Sequence, residues 1–181
     1  MNSSAAAAKQ PSKPSWLRIV LIGRKPKNTL IRIVVLVAVC FVVFNFILLP
    51  IRVDGISMLP TYRDGQINFV NRLAYRRHEP QRGDVVSIRL ADPQVSHPHV
   101  LYMKRIVGLP GETVSFVGGQ LLIDGKVLNE PYVKKFCDWE IGPVKLEPDQ
   151  YFVVGDNRSM PEALHKKGGA YRWQIMGKVL L

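Results

Sequence analysis

From residue 33 to residue 49 every side chain except Asn45 is apolar. Counted from Leu30, the run reaches 20 residues, the length at which a helix crosses the ~30 Å hydrocarbon core of a bilayer. Ile and Val dominate it, and β-branched residues are weak helix formers in water. In lipid that weakness matters less, because a helix satisfies every backbone N–H and C=O within one segment. Arg32 near the N-terminal end can extend to the interface, and Pro50 is a natural stop. A buried core strand or core helix is the competing assignment. The length of the run and the charge step beside it favour a membrane span.

The charge step is steep. The chain has 181 residues and a formal net charge of +11. Residues 1–49 carry Lys9, Lys13, Arg18, Arg24, Lys25, Lys27 and Arg32 and no acid. Residues 50–181 carry 18 basic and 14 acidic groups, a net of +4. Basic residues on one flank keep that flank cytoplasmic, so the remainder is expected on the far side. The excess therefore reports topology, and nucleic acid is not an expected partner. The basic flank is too long and the apolar run exceeds the ~7–15 residues of a cleaved leader. No small residues stand at A-x-A spacing near its end. The expected organisation is a basic cytoplasmic segment at 1–29, an uncleaved anchor helix at 30–49 and an extracytoplasmic domain at 50–181. Residues 1–15 are Ala/Ser/Lys/Pro-rich and expected to lack fixed structure. Residues 16–22 form a short apolar patch beside the anchor. Cys40 falls in the span and Cys137 in the outer domain, so a disulfide between them is not expected. About 130 residues suffice for a hydrophobic core without one.

Beyond Pro50 the pattern favours strands. Segments 66–70, 85–90, 100–107, 113–117, 120–123, 126–128 and 151–154 are rich in Val, Ile, Phe and Tyr. Asp64-Gly65, Gly83-Asp84, Gly118-Gly119 and Asp124-Gly125 separate several of them. Asp124-Gly125 is the strongest hairpin signal, because tight primed turns need residues that tolerate positive φ. No amphipathic helix longer than two turns and no strand–helix alternation is evident. The predicted fold is mainly β, an all-β barrel or sandwich behind one N-terminal transmembrane helix.

Three segments carry chemistry. In Asp54-Gly55-Ile56-Ser57-Met58-Leu59-Pro60-Thr61, Gly55 permits an unusual φ and Pro60 fixes the turn. A Ser held rigidly there can expose its hydroxyl and aim its own N–H at a developing oxyanion. Ser beside Gly and Pro is more often only a turn residue. The second segment runs from Tyr102 to Glu112 and sets Lys104 inside an apolar strand. Alternation places Tyr102, Lys104 and Ile106 on one face. A buried Lys loses pKa, and a neutral amine can take the proton of a Ser hydroxyl. Bringing ~10.4 down to a useful 7–8 needs roughly 3–5 kcal/mol. A snorkelling Lys on an edge strand is the bland alternative. The third segment, Gly155-Asp156-Asn157-Arg158-Ser159-Met160-Pro161, follows an apolar strand. Asp156 can form a local turn or pair with Arg105 or Arg158.

Taken together these segments resemble the type I signal peptidases, membrane-anchored serine endopeptidases that remove signal peptides from exported proteins. The family pattern S-M-x-P-T is met by Ser57 through Thr61. R-G-D followed by an apolar residue and Val is met by Arg82 through Val86. K-R-x-x-G-x-P-G-[DE] is met by Lys104 through Glu112, and G-D-N-R by Gly155 through Arg158. The boxes occur in family order behind an anchor and, with intervening strands, cover about a third of the chain. The resemblance implies Ser57 as nucleophile and Lys104 as general base, without cofactor or metal. It implies an all-β domain lying against membrane lipid. Its implied partners are preproteins bearing signal peptides, with small residues at −1 and −3. Met58 and Tyr102 match positions that line the substrate groove, and Asp156 and Arg105 match a structural pair near the dyad.

Two departures stand out. Many members carry a Ser two residues before the nucleophile, where this chain has Gly55; the Ser57 N–H is then the expected oxyanion donor. The usual fourth box continues N-x-S-x-D-S-R, whereas this chain reads Ser159-Met160-Pro161-Glu162-Ala163-Leu164-His165. Ser159 is the nearest stand-in for the Ser that bonds the catalytic Lys. Competing functions are a specialised relative of narrow substrate range, of conjugative-pilin or mitochondrial inner-membrane type, and a catalytically silent membrane-surface module. His97-Pro98-His99 makes a poor metal site for want of a third ligand. His78 and His165 stand among basic residues and are expected to be solvated. Arg72, Arg76, Arg77 and Arg82 form a basic run, a solvated face by default or one that meets anionic headgroups.

Overall fold

The computed structural model describes residues 26–89, 101–135 and 137–180. The expectations for residues 1–15 and 16–22 and for His97 and His99 lie outside these.

Helix α1 is Pro26–Val42, with its described side chains largely exposed. A π-helical turn, Val43–Ile47, follows it. The run Lys27–Ile47 has a mean hydropathy of 2.8 and no part of it is buried, so it is long and apolar enough to cross a membrane. Leu48 and Leu49, the last residues of the expected span, instead open strand β1 (Leu48–Arg52). Leu48 pairs with Asn71 and Leu49 with Val70. Pro50 does not break the segment, because it stands in an edge strand, where its missing N–H costs no ladder bond. The Arg72 backbone N–H donates to the Ile47 carbonyl at 2.9 Å, and Arg72 Nη1 donates to the Asn45 carbonyl at 3.0 Å. These bonds satisfy carbonyls that a helix end leaves open.

The rest of the described chain is mainly β. The remaining strands are β2 (Ile67–Asn71), β3 (Val85–Arg89), β4 (Leu101–Gly108), β5 (Thr113–Val117), β6 (Gln120–Ile123), β7 (Lys126–Val127), β8 (Ile141–Lys145), β9 (Gln150–Val154), β10 (Gly168–Tyr171) and β11 (Ile175–Leu180). One sheet has seven strands in the order β1-β2-β11-β3-β4-β9-β10, and the other four in the order β7-β6-β5-β8. Every pairing is antiparallel. The open orders describe two sheets rather than one closed barrel. Each expected strand is present within a residue or two at its ends. Four others, β1, β8, β10 and β11, lie in segments that the pattern did not mark. The Asp124-Gly125 hairpin forms as expected, with φ of 48° and 75° and Ile123 opposite Lys126.

Strand β4 supplies all three hydrophobic clusters. Val107 packs with Val114, Phe116, Leu121, Trp139 and Phe152. Met103 packs with Met58, Tyr62, Val70 and Val85, and Ile106 with Val86, Ile88, Tyr151 and Val153. Residues 103–108 are therefore all buried, on both faces of the strand. The apolar side chains among them, Met103, Ile106 and Val107, each contribute roughly 1.5–3 kcal/mol of transfer free energy. That depth of packing is what can hold a charged residue on β4 out of water.

Candidate active site

Gly55 has φ +94°, a conformation that L side chains rarely adopt, and its N–H donates to Asp64 Oδ1 at 2.9 Å. The turn that follows leaves Ile56 exposed and Ser57 half-buried. The Leu59–Pro60 peptide is cis. Behind Ser57 stands Lys104, 3% exposed. Its Nζ lies 2.8 Å from Ser57 Oγ. Burial lowers the Lys104 pKa from its ordinary 10.5 to about 8, although the Asp156 carboxylate opposes the shift. The two residues are 47 apart in sequence and meet where the Ser57 turn packs on β4 through Met58 and Met103.

Of the two partners expected for Asp156, it takes Arg105. Arg105 Nε donates to Oδ1 at 2.8 Å and Nη2 to Oδ2 at 2.6 Å. Arg105 Nη1 donates to the Gly83 carbonyl at 2.7 Å, and the guanidinium lies 4.0 Å over the Tyr132 ring. Thr61 Oγ1 donates to Asp156 Oδ2 at 2.5 Å, tying the Ser57 turn to the same carboxylate. Arg158 pairs with Glu130 instead, at 2.5 Å, and its Nε donates to the Gly155 carbonyl at 3.0 Å. Arg82 pairs with Glu112 at 2.5 Å and donates to the Val107 carbonyl. Arg82 thus braces β4 and the turn after it, and does not belong to a solvated basic face with Arg76 and Arg77, which are exposed.

Three expectations need correction. Ser159 does not approach Lys104 as its stand-in hydroxyl partner: it is exposed, and its Oγ donates to Asn157 Oδ1 at 2.7 Å, a local bond that a Ser two residues from an Asn makes readily. Met58 is 1% exposed and packs with Tyr62 and Met103, so its side chain is core and not the wall of an open groove. Tyr102, by contrast, is half-buried opposite Ile88. His165 is not solvated. It is 3% exposed, and its Nε2 accepts the Gly155 N–H at 2.9 Å. Its flanking lysines gave no hint of this. Tyr132 and Glu130 were likewise unmarked, because neither lies in a recognisable box.

The third segment also clamps the Ser57 turn. The Asn157 N–H donates to the Ser57 carbonyl at 3.0 Å and Asn157 Nδ2 to the Ile56 carbonyl at 3.0 Å. Gly155 is required here by space. A Cβ on it would stand 2.2 Å from the Ser57 carbonyl oxygen.

The fold and site define a mainly β domain that follows an apolar helix and holds a hydroxyl against a desolvated amine. The chain matches the family model for signal peptidase, peptidase S26, over residues 27–162. It is 40% identical over 137 residues to signal peptidase I S of Bacillus subtilis, covering 70% of this chain and 71% of that protein. It is 34% identical over 131 residues to signal peptidase I of Leptolyngbya laminosa. That match covers 69% of this chain and 63% of the relative, so the chain spans less than two thirds of the relative's length. A crystal structure of a signal peptidase I from Enterococcus faecalis aligns at 24% identity and a TM-score of 0.45, covering 56% of this chain and 97% of that one. The chain belongs to the signal peptidase, peptidase S26, family. Its apolar helix and its bacterial relatives fit a membrane-anchored protein.

Proposed function

We propose that this protein is a membrane-anchored serine endopeptidase that removes N-terminal signal peptides from exported preproteins, cutting after small residues at −1 and −3. The observation that carries the proposal is the 2.8 Å approach of a buried Lys104 amine to the Ser57 hydroxyl. Neutral Lys104 takes the Ser57 proton as Oγ attacks the scissile carbonyl. The Ser57 N–H faces the developing oxyanion. The resulting ammonium returns its proton to the leaving amine as the C–N bond breaks, which leaves an acyl-enzyme and frees the mature chain. Lys104 then deprotonates a water. The water attacks the ester, and the proton returns to Ser57 Oγ as the signal peptide departs with a free carboxylate. Every step balances without a cofactor.

Residues 1–29 lie on the cytoplasmic side of a cell membrane in this proposal, the span begins at residue 30, and the β domain works on the far side. Arg76 and Arg77 are exposed and face anionic headgroups. Protease added outside spheroplasts should degrade the β domain and spare the N-terminal segment. Arg76→Gln with Arg77→Gln should weaken activity in anionic proteoliposomes more than in neutral ones, and equal activity in both would remove the lipid role.

The test of the reaction uses the full chain in detergent with a labelled preprotein. Ser57→Ala and Lys104→Met should both abolish cleavage. Cleavage surviving Ser57→Ala would refute the nucleophile. Wild-type protein that cleaves no preprotein would favour a silent module or a narrow specialist.

A further inference from the structure

The proposed reaction leaves His165 without a task, although the domain buries it beside the site. Its ring packs edge-on against Trp139 with centroids 4.7 Å apart. Its Nε2 accepts the Gly155 N–H at 2.9 Å. Gly155 has no room for a side chain. A Cβ there would stand 2.8 Å from His165 Nε2 and 2.2 Å from the Ser57 carbonyl oxygen. Two residues later, Asn157 holds the carbonyls of Ser57 and Ile56 through its N–H and Nδ2, each at 3.0 Å. The order in space is thus His165, then the turn after β9, then the loop that carries Ser57.

We propose that His165 is a positioning residue for this loop: its Nε2 fixes Gly155, and through the turn from Gly155 to Asn157 it fixes where the Ser57 hydroxyl stands relative to Lys104. The proposal rests on Ser57 being the nucleophile. The role requires a lone pair on Nε2, which a protonated imidazole lacks. Burial keeps the ring neutral, and the cations Lys104, Arg158 and Lys167 act in the same direction, bringing its pKa down from 6.5 to about 3. The Asn157 backbone carbonyl pulls weakly the other way. Lys167 lies 5.0 Å over the Trp139 ring against which His165 packs, and Arg158 Nε holds the Gly155 carbonyl at 3.0 Å. Both peptide faces of Gly155 are thereby held, the N–H by His165 and the C=O by Arg158. The hydrogen bond to the turn accounts for Nε2, while Nδ1 is buried without a hydrogen-bond partner among the described residues.

The experiment compares full-length wild type, His165→Phe, His165→Gln and Ser57→Ala on a labelled preprotein in detergent. Phe keeps a ring of similar size without an acceptor, and Gln can return an oxygen near the Nε2 position. His165→Phe should lower kcat by about tenfold or more with KM within about threefold, since small displacements of a reacting group act on the chemical step. His165→Gln should recover most of that loss. A His165→Phe kcat within about twofold of wild type, with Ser57→Ala inactive, would overturn the positioning role and leave the nucleophile assignment standing. Equal losses in the Phe and Gln variants would also overturn it. Cleavage by Ser57→Ala would overturn the nucleophile assignment and the positioning role with it. If His165→Phe does not fold, wild type carries the test through NMR of protein containing 15N-labelled histidine. At pH 5 the His165 ring should be neutral, with its proton on Nδ1 and an acceptor signature at Nε2. A cationic ring, or a proton on Nε2, would overturn the proposal.

Discussion

Arg105 grips Asp156 through two hydrogen bonds, Nε to Oδ1 at 2.8 Å and Nη2 to Oδ2 at 2.6 Å. Removing the carboxylate charge leaves a guanidinium whose side chain is 11% exposed without its counter-ion. Asp156→Asn is expected to cost about 3–5 kcal/mol of stability, the usual penalty for breaking a buried pair on one side. Chemical denaturation of the full chain in detergent measures it, and a loss below about 1 kcal/mol would mean that water reaches Arg105 freely.

The pH dependence of cleavage follows from Lys104. In the proposed reaction its amine must be neutral to accept the Ser57 proton, and burial brings its pKa to about 8. Activity should rise through a midpoint near pH 8 and fall about tenfold per unit well below it. The Asp156 carboxylate raises the Lys104 pKa, so Asp156→Asn should move the midpoint to lower pH. A midpoint that rose in this variant would contradict the role of Asp156.

The same group links pH to stability. In the unfolded chain the Lys104 amine titrates near its ordinary 10.5, and in the folded protein near 8. Between these values the unfolded state binds the extra proton, so stability should increase as pH rises from about 8 to about 10.5. The increase is of the order of 3 kcal/mol. Below pH 8 the penalty of burying the ammonium is present in full. Lys104→Met should therefore melt higher than wild type at pH 7 while losing activity, and its stability should lose this pH dependence. A lower melting temperature at pH 7 would show that the Ser57 hydrogen bond outweighs desolvation.

Gly155→Ala tests the clamp on the Ser57 turn by space alone. The added methyl meets the Ser57 carbonyl oxygen and His165 Nε2, so one of them must shift. Cleavage is expected to fall by about a hundredfold, with the rest of the domain still folded by circular dichroism. Activity within about threefold of wild type would mean that the turn can move without displacing Ser57.

Much of this architecture was legible in the sequence, for identifiable reasons. The strands that were read in advance are runs of Val, Ile, Phe and Tyr bounded by Gly-containing turns. The unmarked strands lack that signature. β8 contains Gly142-Pro143, β10 begins Gly168-Gly169 and β11 is interrupted by Gly177. At Gly177 a Cβ would stand 2.4 Å from the Asn71 carbonyl oxygen, so close strand approach, not propensity, determines the residue. β1 was absorbed into the apolar run because strand and span share one composition. Within the site, the residues that motif spacing marked do converge: Ser57, Lys104, Arg105 and Asp156. The partners contributed by tertiary packing do not announce themselves. His165 is hydrophilic by neighbourhood and buried by the path of the turn after β9. Met58 sits in a chemically suggestive box, yet packs as an ordinary core side chain.

Strand β4 belongs to three hydrophobic clusters at once, and it carries Lys104. Its neighbours in the sheet, β3 and β9, and the Ser57 turn come from well-separated parts of the chain. Ser57 lies 47 residues before Lys104, and Asp156 lies 51 after Arg105. Contacts of such long range pay their loop-closure entropy before they are rewarded. The amine is desolvated by burial in the assembled domain. A chain that has only part of its sheet assembled holds an ordinary, protonated lysine at this position. In the proposed reaction, proteolytic competence is therefore a late property of folding.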